Sequence, residues 1–359
     1  MRYKGSILGL ITLLILLLAS VGFGNRLYQI YDTLFTDFIR LIYDNTLGLL
    51  SFASVYLIFG SIIVWVFIKF FKLIVSTKKS NVRSYAFKDA IIGFINFSGW
   101  VFFLFYFLWG FNYLRPNLTT ALAIKNEAID STAIIEEYLA VTHTISDIRL
   151  KVSKDSQSIA MKQDWTEMEI EIRHAQLELL KLWGDNPKSN VRVRRLFPSG
   201  SLLSFSTAGI YNPFSLEGHI DPGLHSIQYP FTAAHEMAHG YGYTDEGECN
   251  FIGFLTCIRA KDDFIKYSGW LGYWRYLHYE VKAINPKLST EVFRALPLGI
   301  KADLQVIYDA SNKYPDIMPY LRNLIYDNYL KANGVKSGLR SYSEIVTLSI
   351  WYQHSYGAF

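Results

Sequence analysis

The sequence predicts an α+β chain, mostly α, in which three N-terminal transmembrane helices precede a globular domain carrying a small sheet. Three observations predict it. Hydrophobic residues make up 51% of the 359 residues and charged residues only 18%, against roughly 25% charged in soluble domains. The apolar residues gather in three uncharged stretches before Arg115. After Pro116 the composition turns soluble, with helical periodicity broken once by short alternating runs. The mean hydropathy of +0.16 excludes a disordered chain. A net charge of +4 without a long basic run excludes a nucleic-acid partner. Two cysteines exclude a disulfide-framed secreted scaffold.

The spans are expected at about 5–25, 45–70 and 90–114, each reaching the roughly 20 residues that cross a hydrocarbon core as a helix. Arg2 and Lys4 ahead of the first stretch, and Ala19 to Gly22 at its end, also fit a cleaved signal peptide. No small-x-small cleavage site stands out, and a retained anchor is the better reading. Lys72, Lys78, Lys79, Arg83 and Lys88 flank the same side as the N-terminus, which is therefore expected to be cytoplasmic. Residues 1–116 then form an anchor in the lipid bilayer of a bacterial inner membrane. Residues 117–359 form a periplasmic or otherwise extracytoplasmic domain. Trp109, Tyr113 and Arg115 read as an interfacial anchor.

In the soluble part, residues 119–142 and 158–183 show helical periodicity, carried by Ile134, Ile135, Tyr138 and Leu139 in the first and Met168, Ile172, Leu177 and Leu180 in the second. Residues 191–221 alternate in short runs separated by turn residues, and two or three strands are expected there. From Pro230 onward the pattern is helical, broken at Pro286, Pro297, Pro315 and Pro319.

The segment Phe231-Thr-Ala-Ala-His-Glu-Met-Ala-His-Gly240 carries the chemistry. His235 and His239 stand four residues apart, one helical turn, so both imidazoles can reach one Zn²⁺ at about 2.0–2.1 Å. Glu236, beside the first ligand, can reach a water at the metal and act as general base, the HExxH arrangement. Gly242 can end the helix at positive φ. A surface helix with two ordinary histidines is the plainer reading, but Ala233, Ala234, Met237 and Ala238 make this helix apolar, and buried imidazoles need partners.

A third ligand is wanted within the acidic cluster that follows. Read as HExxHxxGxxD, Asp245 takes that place. Read with Asn250 four residues beyond, Glu246 takes it, and Asn250 can accept a hydrogen bond from a ligand His. Glu248 and a soft Cys249 thiolate are further alternatives. Otherwise Cys249 and Cys257, eight residues apart on one helix, are expected as buried free thiols.

With these motifs stand Trp109-Gly-Phe-Asn-Tyr-x-Arg-Pro116, Tyr211-x-Pro-Phe-x-x-Glu217, Tyr326-Asp-x-Tyr-Leu330 and Gly338-Leu-Arg-Ser-Tyr-Ser-Glu-Ile-Val346. The whole chain thereby resembles the bacterial membrane family catalogued as domain of unknown function 3810. The resemblance implies a zincin-like, gluzincin-like zinc metallopeptidase domain on the extracytoplasmic side.

Supporting residues follow. Leu202 to Phe214 can supply an edge strand for an extended peptide or protein substrate of the envelope, or a core hairpin. Glu217 and His219 line a cleft or a surface turn, and His225 is expected in a solvated loop. Tyr326, Tyr329 and above all Tyr342 are candidates for stabilising an oxyanion. The expected function is membrane-anchored peptide-bond hydrolysis with one zinc per chain. The rival is a non-catalytic, metal-stabilised envelope binding or assembly module. A transporter is the poorer third option, since the spans hold no ionisable core residue and no repeat.

Overall fold

The structure, a computed structural model, describes residues 3–77, 83–333, 335 and 343–359. It is mostly helical with a three-stranded sheet, and it divides into two compact units. The first comprises Met1–Arg115 and Asn212–Glu217; the second comprises Pro116–Tyr211 and Gly218–Phe359.

In the first unit α1 (Lys4–Leu18) leads through a kink at Val21 and Gly22, where Gly22 takes φ +106°, into α2 (Gly24–Tyr31) and α3 (Asp37–Asp44). The connection expected after the first span is thus helical. Its charged positions alternate with apolar ones at helical spacing, and Tyr31, Ile39 and Tyr43 bury one stripe with Leu216. The second helix, α4, runs Val55–Thr77, starting later than the expected 45–70 because residues around Gly48 form a 3₁₀ turn. The third, α5, runs Arg83–Leu108, and residues Gly110–Leu114, expected in the span, form a 3₁₀ turn instead. Among the described residues, three helices are long and apolar enough to cross a membrane. Helix α1 packs on α5 with glycines at the contact: a Cβ on Gly9 would lie 3.0 Å from the Gly99 Cα. Asn96 Oδ1 accepts the Gly5 N–H at 2.8 Å, so this polar side chain in an apolar helix is satisfied by its neighbour.

The second unit holds α6 (Leu118–Ala121), α7 (Ser131–Val152), α8 (Trp165–Leu182) and β1 (Val193–Arg195). Residues 122–130, expected as part of one helix, form a loop, and Asp130 caps α7 by accepting the Ala133 N–H at 2.8 Å. Next come β2 (Gly209–Asn212), β3 (Glu217–Ile220), α9 (Tyr229–Gly240), α10 (Glu246–Arg259) and α11 (Asp263–Ile284). Helices α12 (Pro286–Ala295), α13 (Leu298–Asn312), α14 (Pro319–Ala332) and α15 (Glu344–Tyr356) complete the chain. The sheet order is β1-β3-β2, with β1 parallel to β3, so β2 is an edge strand. Leu203–Phe205 is a 3₁₀ turn and not strand. Its position is set by Asp221, whose carboxylate accepts the N–H groups of Gly200, Leu202, Leu203 and Gly223 at 2.7–3.0 Å.

Helix α9 lies at the centre of the core, packed against α8, α10 and α11 and buried almost all round. Its small residues allow this. A Cβ on Gly253 of α10 would stand 3.1 Å from the His235 nitrogen, so the two helices approach at near-backbone distance.

Candidate metal centre

Helix α9 presents His235, Glu236 and His239 and then stops in a Schellman turn. The Tyr243 N–H bonds the Ala238 carbonyl at 3.1 Å, the Gly242 N–H bonds the His239 carbonyl at 3.0 Å, and Gly242 takes the expected positive φ of +87°. The turn brings the Tyr243 carbonyl within 2.9 Å of His239 Nδ1. Asp245 then caps α10, accepting the N–H groups of Gly247 and Glu248 at 2.9 and 3.0 Å. This makes Glu246 the first residue of α10 and aims it back at the two imidazoles.

The three side chains meet. His235 Nε2 and His239 Nε2 are 3.2 Å apart, and Glu246 Oε2 stands 3.1 Å from the first and 3.4 Å from the second. All three residues are buried. A carbonyl can only accept, so the bond to Tyr243 keeps the proton of a neutral His239 on Nδ1 and leaves the Nε2 lone pair facing inward. Glu246 Oε2 faces both Nε2 atoms at the centre. Tetrahedral ligands at 2.0–2.1 Å from a cation are separated by about 3.3 Å, which the observed spacings match. The donor set fits a zinc ion.

Burial favours a neutral carboxyl at Glu246, but the two imidazoles overcome it and hold the group well below the usual carboxylate range. Glu236 behaves oppositely: burial pushes its carboxyl up to about 7, although both imidazoles draw it down. Its seat is made by glycines. A Cβ on Gly209 would fall 2.5 Å from Glu236 Oε1, and one on Gly218 would fall 2.7 Å from the Glu236 Cβ. Gly209, Gly218 and Gly253 carry no chemistry of their own, which is why motif reading passed over them.

The other candidates are placed elsewhere. Asp245 is committed to its cap, and Glu248 Oε1 accepts the Leu118 N–H, so neither stands at the imidazoles. Asn250 pairs with Tyr276, and the Tyr243 carbonyl stands at His239 Nδ1. Among the described residues, His235 Nδ1 has no hydrogen-bond partner. Cys249 Sγ lies 3.3 Å from His239 Nδ1, on the ring edge away from the centre, and both cysteines are buried and unbridged. Burial pushes the Cys249 thiol up to about 12, which suits a packing role.

Tyr326 of α14 donates its hydroxyl to Glu246 Oε1 at 2.5 Å, and Tyr329 stacks against it with centroids 6.1 Å apart. Tyr342 lies outside the described residues. His219 is buried on β3, and burial, with Arg194 beside it, pushes it down to about 4. His225 is half-buried and caps a 3₁₀ turn. Glu217 is fully buried and bonded within the first unit, to Tyr43 and Ser54.

The sequence model of the family described as "Protein of unknown function (DUF3810)" matches residues 31–350, and the chain belongs to that family. No curated protein and no solved structure matches the chain.

Proposed function

We propose that the chain is a membrane-anchored, zinc-dependent metallopeptidase. The observation that carries this reading is the meeting of His235, His239 and Glu246 at 3.1–3.4 Å with Glu236 buried in the next position of the same helix. A zinc ion held by these three would polarise a peptide carbonyl and lower the pKa of a water. Glu236 accepts the proton of the attacking water on its carboxylate and returns it to the leaving amine. Tyr326 supports this reading by holding Glu246, since its hydroxyl donates to Oε1 while Oε2 faces the imidazoles. The edge strand β2 offers backbone groups to an extended peptide, and Gly209 on it runs beside the Glu236 carboxylate.

Residues 1–116 serve as the anchor in a bacterial inner membrane, with the N-terminus cytoplasmic from the distribution of Lys and Arg. Residues 117–359 work on the extracytoplasmic side, on a peptide or protein of the envelope. A purely structural zinc would close its fourth position with a protein ligand and need no general base.

The test is zinc content and peptide hydrolysis by the full-length protein in detergent. About one zinc per chain is expected, with Glu236→Gln retaining the metal and losing turnover. A folded chain without zinc sinks the peptidase reading. A zinc-loaded chain in which Glu236→Gln changes nothing leaves a metal-stabilised binding module in its place.

A further inference from the structure

Within the second unit, α11 borders the metal centre from a side the motif itself does not reach. Cys249 of α10 lies at His239 and Gly253 at His235, while Asn250 bonds Tyr276 and Cys257 meets Gly269. Helix α10 is therefore antiparallel to both neighbours, and α11 runs in the same direction as α9. The two meet at Phe231: the Ser268 hydroxyl accepts the Phe231 N–H at 3.2 Å, and a Cβ on Gly272 would stand 3.0 Å from the Phe231 ring. One turn further along α9 is His235, and one turn further along α11 are Arg275 and Tyr276. Tyr276 stands at that level, since it bonds Asn250 and feels the charge of Glu246.

Ser268 and Arg275, two turns apart, lie on one face of α11. That face is closed at Ser268, which is 2% exposed, and open at Arg275 and at Tyr279, which is 73% exposed. Beyond the Phe231 contact the two helices thus leave an opening beside His235. Arg275 reaches solvent there, yet the protein around it strips enough water from its guanidinium to pull the pKa below the ordinary arginine value, against the opposing effect of Tyr276. A cation both accessible and desolvated stands in a cleft and not on a convex surface. Among the described residues no carboxylate pairs with Arg275 and no carbonyl accepts from it. A desolvated charge without a partner is costly, and the planar fork of a guanidinium matches a carboxylate bidentately. We propose that Arg275 is a specificity-determining residue that binds a carboxylate of the peptide substrate in the cleft beside His235. That group comes either from a free C-terminus or from an Asp or Glu side chain. This inference deepens the peptidase reading and rests on it.

The test uses the full-length, zinc-loaded protein in detergent and a random hexapeptide pool lacking Asp and Glu, prepared as free acid and as C-terminal amide. A third pool is the amide with one position fixed as Glu. Equilibrium dialysis measures binding to Glu236→Gln, which cannot turn the peptides over, alone and combined with Arg275→Gln or Arg275→Lys. Mass spectrometry measures cleavage by the wild type. The free-acid or the Glu pool is expected to bind at least about tenfold tighter than the plain amide. Arg275→Gln should abolish that preference with zinc content and binding of the plain amide unchanged, and Arg275→Lys should restore part of it. Preference for the free acid assigns the carboxylate to the C-terminus, and preference for the Glu pool assigns it to an acidic side chain. Equal or absent binding of all pools, or a preference that survives Arg275→Gln, overturns the role of Arg275. Cleavage of the pools by the wild type in that case leaves the metallopeptidase reading standing. A wild-type chain that holds no zinc overturns both.

Discussion

The carbonyl oxygen of Tyr243 accepts the Nδ1 proton of His239 at 2.9 Å, across the turn that ends α9. That single bond fixes the tautomer and the ring orientation of a candidate ligand, and it exists only because Gly242 takes φ +87°. Gly242→Ala puts a Cβ into a left-handed position at a cost of about 1 kcal/mol, and it shifts the Tyr243 carbonyl. Zinc affinity is expected to fall about tenfold or more, as when other partners of ligand histidines are lost. Competition with a chromogenic chelator measures it.

The three acidic residues after the motif should separate cleanly. Glu246→Ala removes a donor from the centre and is expected to leave less than stoichiometric zinc by elemental analysis. Asp245→Ala keeps the metal and lowers stability by about 1 kcal/mol, the usual worth of a lost helix cap. Glu248→Ala also keeps the metal, since its oxygen serves the Leu118 N–H.

Much of this was legible before any coordinates. The i, i+4 histidines and the helix-ending Gly242 follow from helical geometry, whereas the spacing after them leaves Asp245, Glu246 and Glu248 open, and it is the fold that brings Glu246 to the imidazoles. The spans were legible as apolar stretches, but their bounds were not. The 3₁₀ turn near Gly48 and the helix over 24–44 depend on packing with Leu216, far away in sequence. The Tyr243 carbonyl at His239 Nδ1 escaped for a related reason: a backbone oxygen is invisible to residue-type reasoning. The seat of Glu236 is built from glycines on strands, and nothing in a glycine announces what it must lie against.

Gly209→Ala tests that seat directly. The added methyl would meet Glu236 Oε1 at 2.5 Å and must displace the carboxylate or the strand. Zinc content should be retained while turnover of a fluorogenic peptide falls at least about tenfold, since a displacement near 1 Å costs that much or more. Loss of zinc together with activity would contradict the assignment of Gly209 to Glu236 alone.

Away from the site, Arg149 and Asp303 form a buried pair at 2.6 Å, with Tyr267 donating to the same carboxylate oxygen at 2.7 Å. Removing one partner leaves an uncompensated buried charge. Asp303→Ala is expected to destabilise the protein by about 3–5 kcal/mol in denaturant titration. The paired change Arg149→Met with Asp303→Leu should recover a large part of that loss.

The pH dependence of stability should carry the mark of His219. Its folded pKa of about 4 lies below the ordinary 6.5, so between these values the unfolded chain binds a proton that the native chain refuses. Stability is full above pH 6.5 and declines as pH falls towards 4, by at most about 3 kcal/mol. Thermal unfolding from pH 7 to 4 should show this slope, and His219→Gln should flatten it.

All three candidate ligands lie within residues 235–246, so the loop that must close to bring them together is among the shortest a chain can form, and its entropic cost is small. The contacts that seat Glu236 reach back to Gly209 and Gly218, on strands that need the rest of the sheet. On the proposed reading, metal capture and alignment of the base are therefore separate events in folding, the first local and fast, the second waiting on long-range assembly. On the function proposed above, the ion would be held before the base is in place, so an incompletely folded chain would carry the metal without the activity.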